Sequence, residues 1–118
     1  MKPENQRTIH RVINVFGAEN QKMQALEELM ELQTALFENV HRGTDNRENI
    51  VEEVADVEIM LAQLKEIFNI KPTEILEKQD YKLRRLDHTI EKYLNKQQNE
   101  SSNNKLKIHI DRETSNGR

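Results

Sequence analysis

The sequence predicts an all-α protein with a four-helix bundle core, and three observations support that fold class. The 118 residues include only 3 Gly and 2 Pro, too few for a sandwich or barrel with many tight turns. Apolar residues recur every three or four positions, as in amphipathic helices. Charged residues make up 33% of the chain, hydrophobic residues 35% and aromatic residues 4%, so the core is thin. We therefore expect one domain whose bundle is completed by dimerisation.

The first two helices are expected on either side of Gly17. After a loose start over residues 1–5, the helical spacing of apolar residues from Ile9 to Phe16 predicts a short first helix, which Gly17 ends. A second helix is expected from about Glu19 to His41. Its apolar residues are Met23, Leu26, Leu29, Met30, Leu36, Phe37 and Val40.

A short loop over residues 42–46 separates the second helix from the third, with Gly43 as a C-cap and Asp45 or Asn46 as an N-cap. The apolar residues of the third helix are Ile50, Val54, Val57, Met60, Leu61, Leu64, Ile67 and Phe68. That helix should end before Pro72, which suits the first turn of a fourth helix. The apolar residues of the fourth helix are Ile75, Leu76, Leu83, Leu86, Ile90 and Leu94.

The composition changes after Asn95, so we expect a folded domain over residues 1–95 and a tail over residues 96–118. The stretch KQQNESSNN is polar and has no period, which indicates a disordered segment or a frayed helix end. Residues 105–111 alternate between polar and apolar side chains, a strand pattern without a visible partner strand. We expect a flexible tail that docks or pairs elsewhere.

Charge and hydropathy exclude several classes of protein. The net charge of −3 does not favour nucleic-acid binding, and the absence of Cys excludes disulfides and thiolate chemistry. No apolar run approaches the ~20 residues of a membrane span, and the N-terminal residues lack the apolar stretch of a signal peptide. These features predict a cytoplasmic protein without membrane or nucleic-acid partners.

Two acids of the third helix lie on its predicted buried stripe. On a helical wheel, Glu53 and Asp56 fall beside Val57 and the apolar residues that follow it, whereas Glu52 and Glu58 fall outside this stripe. Burying an unpaired carboxylate costs several kcal/mol, and two neighbouring carboxylates also repel each other. A cation between the two acids would remove both costs.

The second helix has an acidic flank that contains Glu27, Glu28 and Glu31. Because the loop between the second and third helices is short, the two should be antiparallel neighbours, which allows Glu28 and Glu31 to face Glu53 and Asp56. Carboxylate oxygens converging in this way favour Mg²⁺. The alternative is that the acids are ordinary surface residues.

The acids Glu27-Glu28-x-x-Glu31 and Glu53-x-x-Asp56 resemble the EExxE…ExxD signature of the MazG-like all-α nucleoside triphosphate pyrophosphohydrolases. The similarity spans about residues 20–90, and the chain looks like the short single-domain members found in phages and prophages. The resemblance implies a four-helix core, a homodimer or homotetramer, and cleavage of an NTP or dNTP to the monophosphate and pyrophosphate. It also implies Mg²⁺, or Mn²⁺ in its place, as the cofactor.

The same resemblance implies roles for individual residues. The metal ligands would be Glu28, Glu31, Glu53 and Asp56, and Glu27 would have an accessory catalytic role beside Glu28, such as orienting water. Basic residues on the following helix would bind the substrate phosphates, and they are Lys78, Lys82 and Arg85. The additional candidate substrate contacts are Lys22 and Tyr81. A solvated basic face and ordinary packing of Tyr81 are the structural alternatives.

Two other classes of protein remain open. Charged, Leu-rich helices with a polar tail also suit a non-catalytic interaction or assembly protein. The sequence Glu38-x-x-His41 has the spacing used by di-iron carboxylate bundles, but those proteins need two such motifs and the chain has one. We therefore expect His41 to interact with the dipole at the C-terminal end of its helix.

Overall fold

The computed structural model describes the backbone of residues 1–116 and the side chains of residues 1–108. Within that range the chain forms four α-helices and no strand, which confirms the all-α prediction. The helices are α1 (Pro3–Phe16), α2 (Ala18–Arg42), α3 (Arg47–Ile67) and α4 (Pro72–Asn116). The chain divides into two units, one with α1–α3 and one that starts at Thr73 within α4. The four-helix bundle and its dimerisation stay predictions.

Local residue chemistry sets the helix ends. α1 begins at Pro3, earlier than the predicted loose start over residues 1–5, because Pro suits the first helical turn and Glu4 complements the positive end of the helix dipole. Gly17 and Gly43 follow α1 and α2 as predicted, with φ angles of 89° and 65°. These positive φ values are readily available to glycine, and they let one helix stop and the chain turn into the next.

Side-chain hydrogen bonds hold the connection between α2 and α3. Asn46 takes the predicted N-cap position, but its side chain does not cap α3. Its Nδ2 instead donates to the carbonyl oxygen of Ala35 at 2.9 Å. The Nδ2 of Asn39 donates to the Asn46 Oδ1 at 3.3 Å and to the Thr44 carbonyl oxygen at 3.2 Å. These bonds fasten the end of α2 to the start of α3.

α2 and α3 form an antiparallel hairpin, as the short loop predicts. Gln21 near the start of α2 donates from Nε2 to the Oε1 of Gln63 near the end of α3 at 2.7 Å, and both side chains are buried. Ala25 and Ala35 of α2 are 3% and 2% exposed. Their short side chains allow α3 to approach closely, so the hairpin buries small and polar residues beside Val57 of α3.

The apolar face of α2 does not pack inside the described chain. Leu26 and Phe37 are 56% and 55% exposed, and the other large apolar residues of the predicted set are exposed as well. The face toward α3 carries Gln21, Ala25 and Ala35, with Glu28 partly buried among them. Within this unit α2 therefore packs on α3 through a face of small and polar residues, and its apolar spacing marks a different face.

α1 is fastened to α3 by one buried side chain and one side-chain hydrogen bond. Ile9 is buried. The imidazole Nδ1 of His10 pairs with the carboxylate of Glu66 near the end of α3. The Nδ2 of Asn14 lies 3.0 Å from the Nε2 of the same imidazole, which fits a ring that carries its proton on Nδ1.

α4 continues well past the predicted end of the folded domain. Residues 96–116 are helical, so the alternation of residues 105–111 does not produce a strand, and no Gly or Pro interrupts the helix between Pro72 and Asn116. The expected flexibility of the tail is not confirmed, and its last two residues lie outside the described range. Among the described residues, no helix combines the length and apolar character that a membrane span requires.

Candidate metal centre

Four carboxylates converge where α2 and α3 pack together. Glu28 and Glu31 lie one turn apart on α2, and Glu53 and Asp56 lie one turn apart on α3. The hairpin register that joins Gln21 to the end of α3 also brings these two pairs opposite each other. We call the four residues the acid cluster.

The acid cluster is tight enough to share one cation. One carboxylate oxygen from each of the four side chains lies within 4.8 Å of the others. Glu28 and Glu53 are partly buried, and Glu31 is exposed, so the cluster is anchored in the hairpin and open to solvent on one side. Glu52 and Glu58 are exposed and lie outside the cluster, as the wheel predicts.

Two oxygens of the acid cluster are buried without a hydrogen-bond partner. They are the Oε2 atoms of Glu28 and Glu53, whereas the Oε1 of Glu28 accepts from the Nε2 of Gln24 at 3.1 Å. Buried polar atoms normally have partners, and a carboxylate oxygen can also be satisfied by a metal ion. An all-carboxylate donor set that still has free positions for water fits a hard divalent cation such as Mg²⁺ or Mn²⁺.

The environment of Glu28 disfavours its charged form. Burial raises the pKa of Glu28 above its ordinary value of 4.5, and the neighbouring charges of Glu31 and Asp56 raise it further. The hydrogen bond from Gln24 opposes this effect by stabilising the carboxylate. A bound cation would reverse the balance, because it would favour the ionised form of every carboxylate in the cluster.

The remaining predicted residues of α2 lie outside the acid cluster. Glu27 is exposed and contributes no atom to it, so its accessory role stays a prediction. The ammonium of Lys22 lies 2.7 Å from the Oε1 of Glu19 and 4.9 Å from the ring centroid of Phe68. The contact with Phe68 joins the start of α2 to the end of α3, and a substrate contact by Lys22 would compete with both of its contacts.

The predicted phosphate-binding residues lie on α4. Lys78, Lys82 and Arg85 are exposed, and Tyr81 is 57% exposed. The guanidinium carbon of Arg85 lies 5.7 Å from the ring centroid of Tyr81, within the range of a cation–π contact. Their assignment to substrate phosphates stays a prediction.

Sequence reasoning missed the glutamines that support the site. Gln24 is one turn before Glu28, and this i,i+4 spacing is the signal that could have identified it as a hydrogen-bond partner. Gln21 is buried, and its Nε2 donates to the Oε1 of Gln63. The role of Gln21 is therefore to set the hairpin register that aligns the acids.

Two further features of the described residues lie apart from the acid cluster. A groove of about 850 Å³ between α1 and α3 is lined by Ile9, Leu61 and Lys65, among others, and by none of the four acids. The ring of His41, in the last turn of α2, contacts the ring of Phe37 with centroids 4.3 Å apart. Neither feature supplies a ligand to the candidate metal centre.

Comparisons of the chain with protein-family models, with curated proteins and with solved structures found no match.

Proposed function

We propose that the chain is a Mg²⁺-dependent hydrolase that cleaves an NTP or dNTP to the nucleoside monophosphate and pyrophosphate. The observation that supports this proposal is the acid cluster, in which four carboxylates from two adjacent helices approach within 4.8 Å. Their order and spacing in the sequence match the EExxE…ExxD signature to which the chain is similar.

In this proposal each acid has a role that its position supports. Glu28, Glu31, Glu53 and Asp56 would hold Mg²⁺, which when bound supplies Lewis-acid polarisation of a phosphoanhydride. Burial and neighbouring acids disfavour the charged form of Glu28 when no cation is bound, and a bound Mg²⁺ would relieve that cost. Gln24 would orient the Glu28 carboxylate through its hydrogen bond, a supporting role one step away from the substrate.

The test is release of pyrophosphate from a panel of NTPs and dNTPs with Mg²⁺ or Mn²⁺. We expect turnover of at least one nucleotide and loss of about two orders of magnitude or more in Glu28→Gln and Glu53→Gln. Glu52→Gln and Glu58→Gln are the matched controls, because they remove the same charge from exposed positions of α3 and should retain activity.

Absence of turnover for every nucleotide, together with unchanged Mg²⁺ binding in Glu53→Gln, would contradict the proposal. A Glu58→Gln variant as inactive as Glu53→Gln would also contradict it, because the loss would then follow net charge and not the acid cluster. Cytoplasmic location and a homodimeric or homotetrameric state remain predictions that accompany the proposed activity.

A second candidate function is a non-catalytic interaction or assembly protein. The exposed apolar face of α2 favours it, since Leu26, Met30 and Phe37 are 56%, 65% and 55% exposed. Contiguous apolar surface of this kind marks interaction sites. This candidate predicts no Mg²⁺-dependent change in melting temperature, whereas the hydrolase requires one through ligand linkage.

A further inference from the structure

The first half of α4 carries apolar residues at a seven-residue repeat. Positions a and d of the heptads form a single stripe along a helix and are the contact positions of coiled coils. In α4 the a residues are Leu76, Leu83 and Ile90, and the d residues are Gln79, Leu86 and Tyr93. We call these six residues the α4 stripe. Five of the six are apolar, and largely apolar a and d positions over three heptads indicate a coiled coil.

The α4 stripe is exposed. Its five apolar members are between 52% and 60% exposed, and every side chain from Leu76 to Ile108 is exposed. Helices in proteins obtain most of their stability by packing an amphipathic face. We therefore expect a partner to cover the stripe of this 45-residue helix.

The charges beside the α4 stripe distinguish between possible arrangements of a helix pair. Lys82 occupies a g position, and Asp80 and Asp87 occupy e positions. In a parallel pair, a g residue faces the e residue five positions later on the other helix. Lys82 of each copy therefore faces Asp87 of the other copy, which gives two ion pairs. In an antiparallel pair, e positions face e positions, which places aspartates opposite aspartates. The pattern favours a parallel pair.

We propose that α4 pairs in parallel with α4 of a second copy of this chain through the α4 stripe. Ile90 at position a with Leu86 at position d favours a two-stranded coiled coil. The hydroxyl of Tyr93 accepts from the Nε2 of Gln97 at 2.6 Å, so its polar end is satisfied within its own helix. This proposal does not require the proposed hydrolase activity. It assigns Lys82 to the second copy and not to substrate phosphate.

The first test is sedimentation velocity of the full chain over a range of micromolar concentrations. The wild type should sediment as a dimer, and Ile90→Glu should sediment as a monomer because it would bury two charges in the interface. His88→Glu is the matched control, since His88 is exposed and lies opposite the stripe at position f. It should leave the dimer intact.

The second test reverses the charges that specify the pairing. Lys82→Asp and Asp87→Lys each convert two attractive contacts into two repulsive ones, so each should raise the dissociation constant of the dimer by about tenfold at low salt. The double variant Lys82→Asp/Asp87→Lys restores opposite charges and should return the dissociation constant to near the wild-type value. Salt should reduce all of these differences.

The third test determines whether the two α4 helices run parallel or antiparallel. The chain has no Cys, so an introduced cysteine is the only thiol that can form a disulfide. A parallel pair in register brings Gln79→Cys next to its own copy, and likewise Gln97→Cys, so each single variant should form a disulfide-linked dimer. In an antiparallel pair centred on the stripe, residue 79 lies opposite residue 90 of the other copy, and identical cysteine positions lie about 16 Å or more apart along the axis. Neither single variant would then be linked, and a linked dimer would form only when Gln79→Cys is mixed with Ile90→Cys.

Three results would overturn the proposal. The first is a monomer at all concentrations, which would mean that a different partner or another part of the same chain covers the α4 stripe. The second is a dimer that resists Ile90→Glu and both charge reversals, which would place the interface elsewhere, for example on α2. The third is cross-linking only between mixed cysteine variants. Each result leaves the nucleotide assay unaffected, so the two proposals can fail independently.

Discussion

Replacing Glu28 with Gln should stabilise the protein in the absence of divalent cations and abolish its stabilisation by Mg²⁺. The carboxylate of Glu28 lies within 4.8 Å of its neighbours in the acid cluster and has one buried oxygen without a partner. Its charge therefore opposes folding unless a cation is present. The amide of Gln removes the charge and keeps a similar shape.

The magnitude follows from the distances in the cluster. Two like charges 4.8 Å apart repel by about 0.9 kcal/mol at the dielectric constant of water and by about 3.5 kcal/mol at an effective value of 20. Glu28 faces the charges of Glu31 and Asp56, and side-chain relaxation and solvent reduce the sum. We expect Glu28→Gln to raise the free energy of unfolding by about 1–3 kcal/mol at neutral pH.

The effect should depend on pH with a definite sign. The pKa of Glu28 is raised in the folded state, so the folded protein binds this proton more tightly than the unfolded chain does. Its contribution to stability is present below the ordinary pKa of 4.5 and is lost as pH rises through the folded pKa. The stability advantage of Glu28→Gln over the wild type should therefore grow as pH rises from acidic to neutral values.

Thermal melts followed by circular dichroism, with EDTA or Mg²⁺, measure both effects. At a Mg²⁺ concentration ten times the dissociation constant, linkage adds about 1.4 kcal/mol to the wild type, or roughly 6 °C in melting temperature for a chain of 118 residues. Glu28→Gln should lose most of this rise, and Glu58→Gln should keep it. A wild type that does not respond to Mg²⁺, or a Glu28→Gln variant that melts lower in EDTA, would refute the reasoning.

Three further predictions concern the hairpin and are measured by urea denaturation of each variant. Gln63→Ala should cost about 2–3 kcal/mol, because it leaves the buried Nε2 of Gln21 without its acceptor, and the variant Gln21→Leu/Gln63→Leu should cost less. Gly43→Ala should cost about 1 kcal/mol, because alanine is strained at a φ of 65°; no loss would show that the loop can relax. Asn46→Ala should cost about 1 kcal/mol through the lost bond to the Ala35 carbonyl, and an unchanged denaturation midpoint would show that this bond contributes nothing.

The helix order and most boundaries of the first unit were predictable because their signals are local. Gly17 and Gly43 adopt positive φ angles, and Pro72 opens α4, so each boundary depends on the conformational preference of one residue. The full length of α4 was not predictable in the same way. Residues 105–111 alternate over too short a stretch to outweigh the helix that precedes them.

Which face of α2 is buried could not be predicted from periodicity. A repeat shows that Leu26 and Phe37 share a face, but it does not show what covers that face. The closeness of α3 depends instead on the short side chains of Ala25 and Ala35, which carry little weight in an apolar pattern. Tertiary packing therefore placed Glu28 of the acidic flank against α3 and left the apolar face exposed.

The convergence of the four acids was predictable from a helical wheel and a short loop, but its details were not. The buried oxygens of Glu28 and Glu53 and the bond from Gln24 depend on side-chain rotamers that the sequence does not reveal. The sequence also does not reveal that Glu27 and Glu28 differ in burial. In the structure Glu27 is exposed, whereas Glu28 is partly buried and belongs to the acid cluster. The sequence therefore predicts that carboxylates meet at this place. The burial of individual oxygens and the raised pKa of Glu28 follow only from the folded structure.

The location of the acid cluster within a single hairpin has a consequence for the order in which the protein forms during synthesis. All four acids lie between the start of α2 and the end of α3, so no residue of α4 is needed to bring them together. Closing so short a loop has a small entropic cost, and helical hairpins form quickly. We expect the nascent chain to assemble the cluster while the ribosome is still translating α4. Ribosome-bound chains just long enough for α3 to leave the exit tunnel should then already protect α2 and α3 from protease, and rapid cleavage within these two helices would contradict this order.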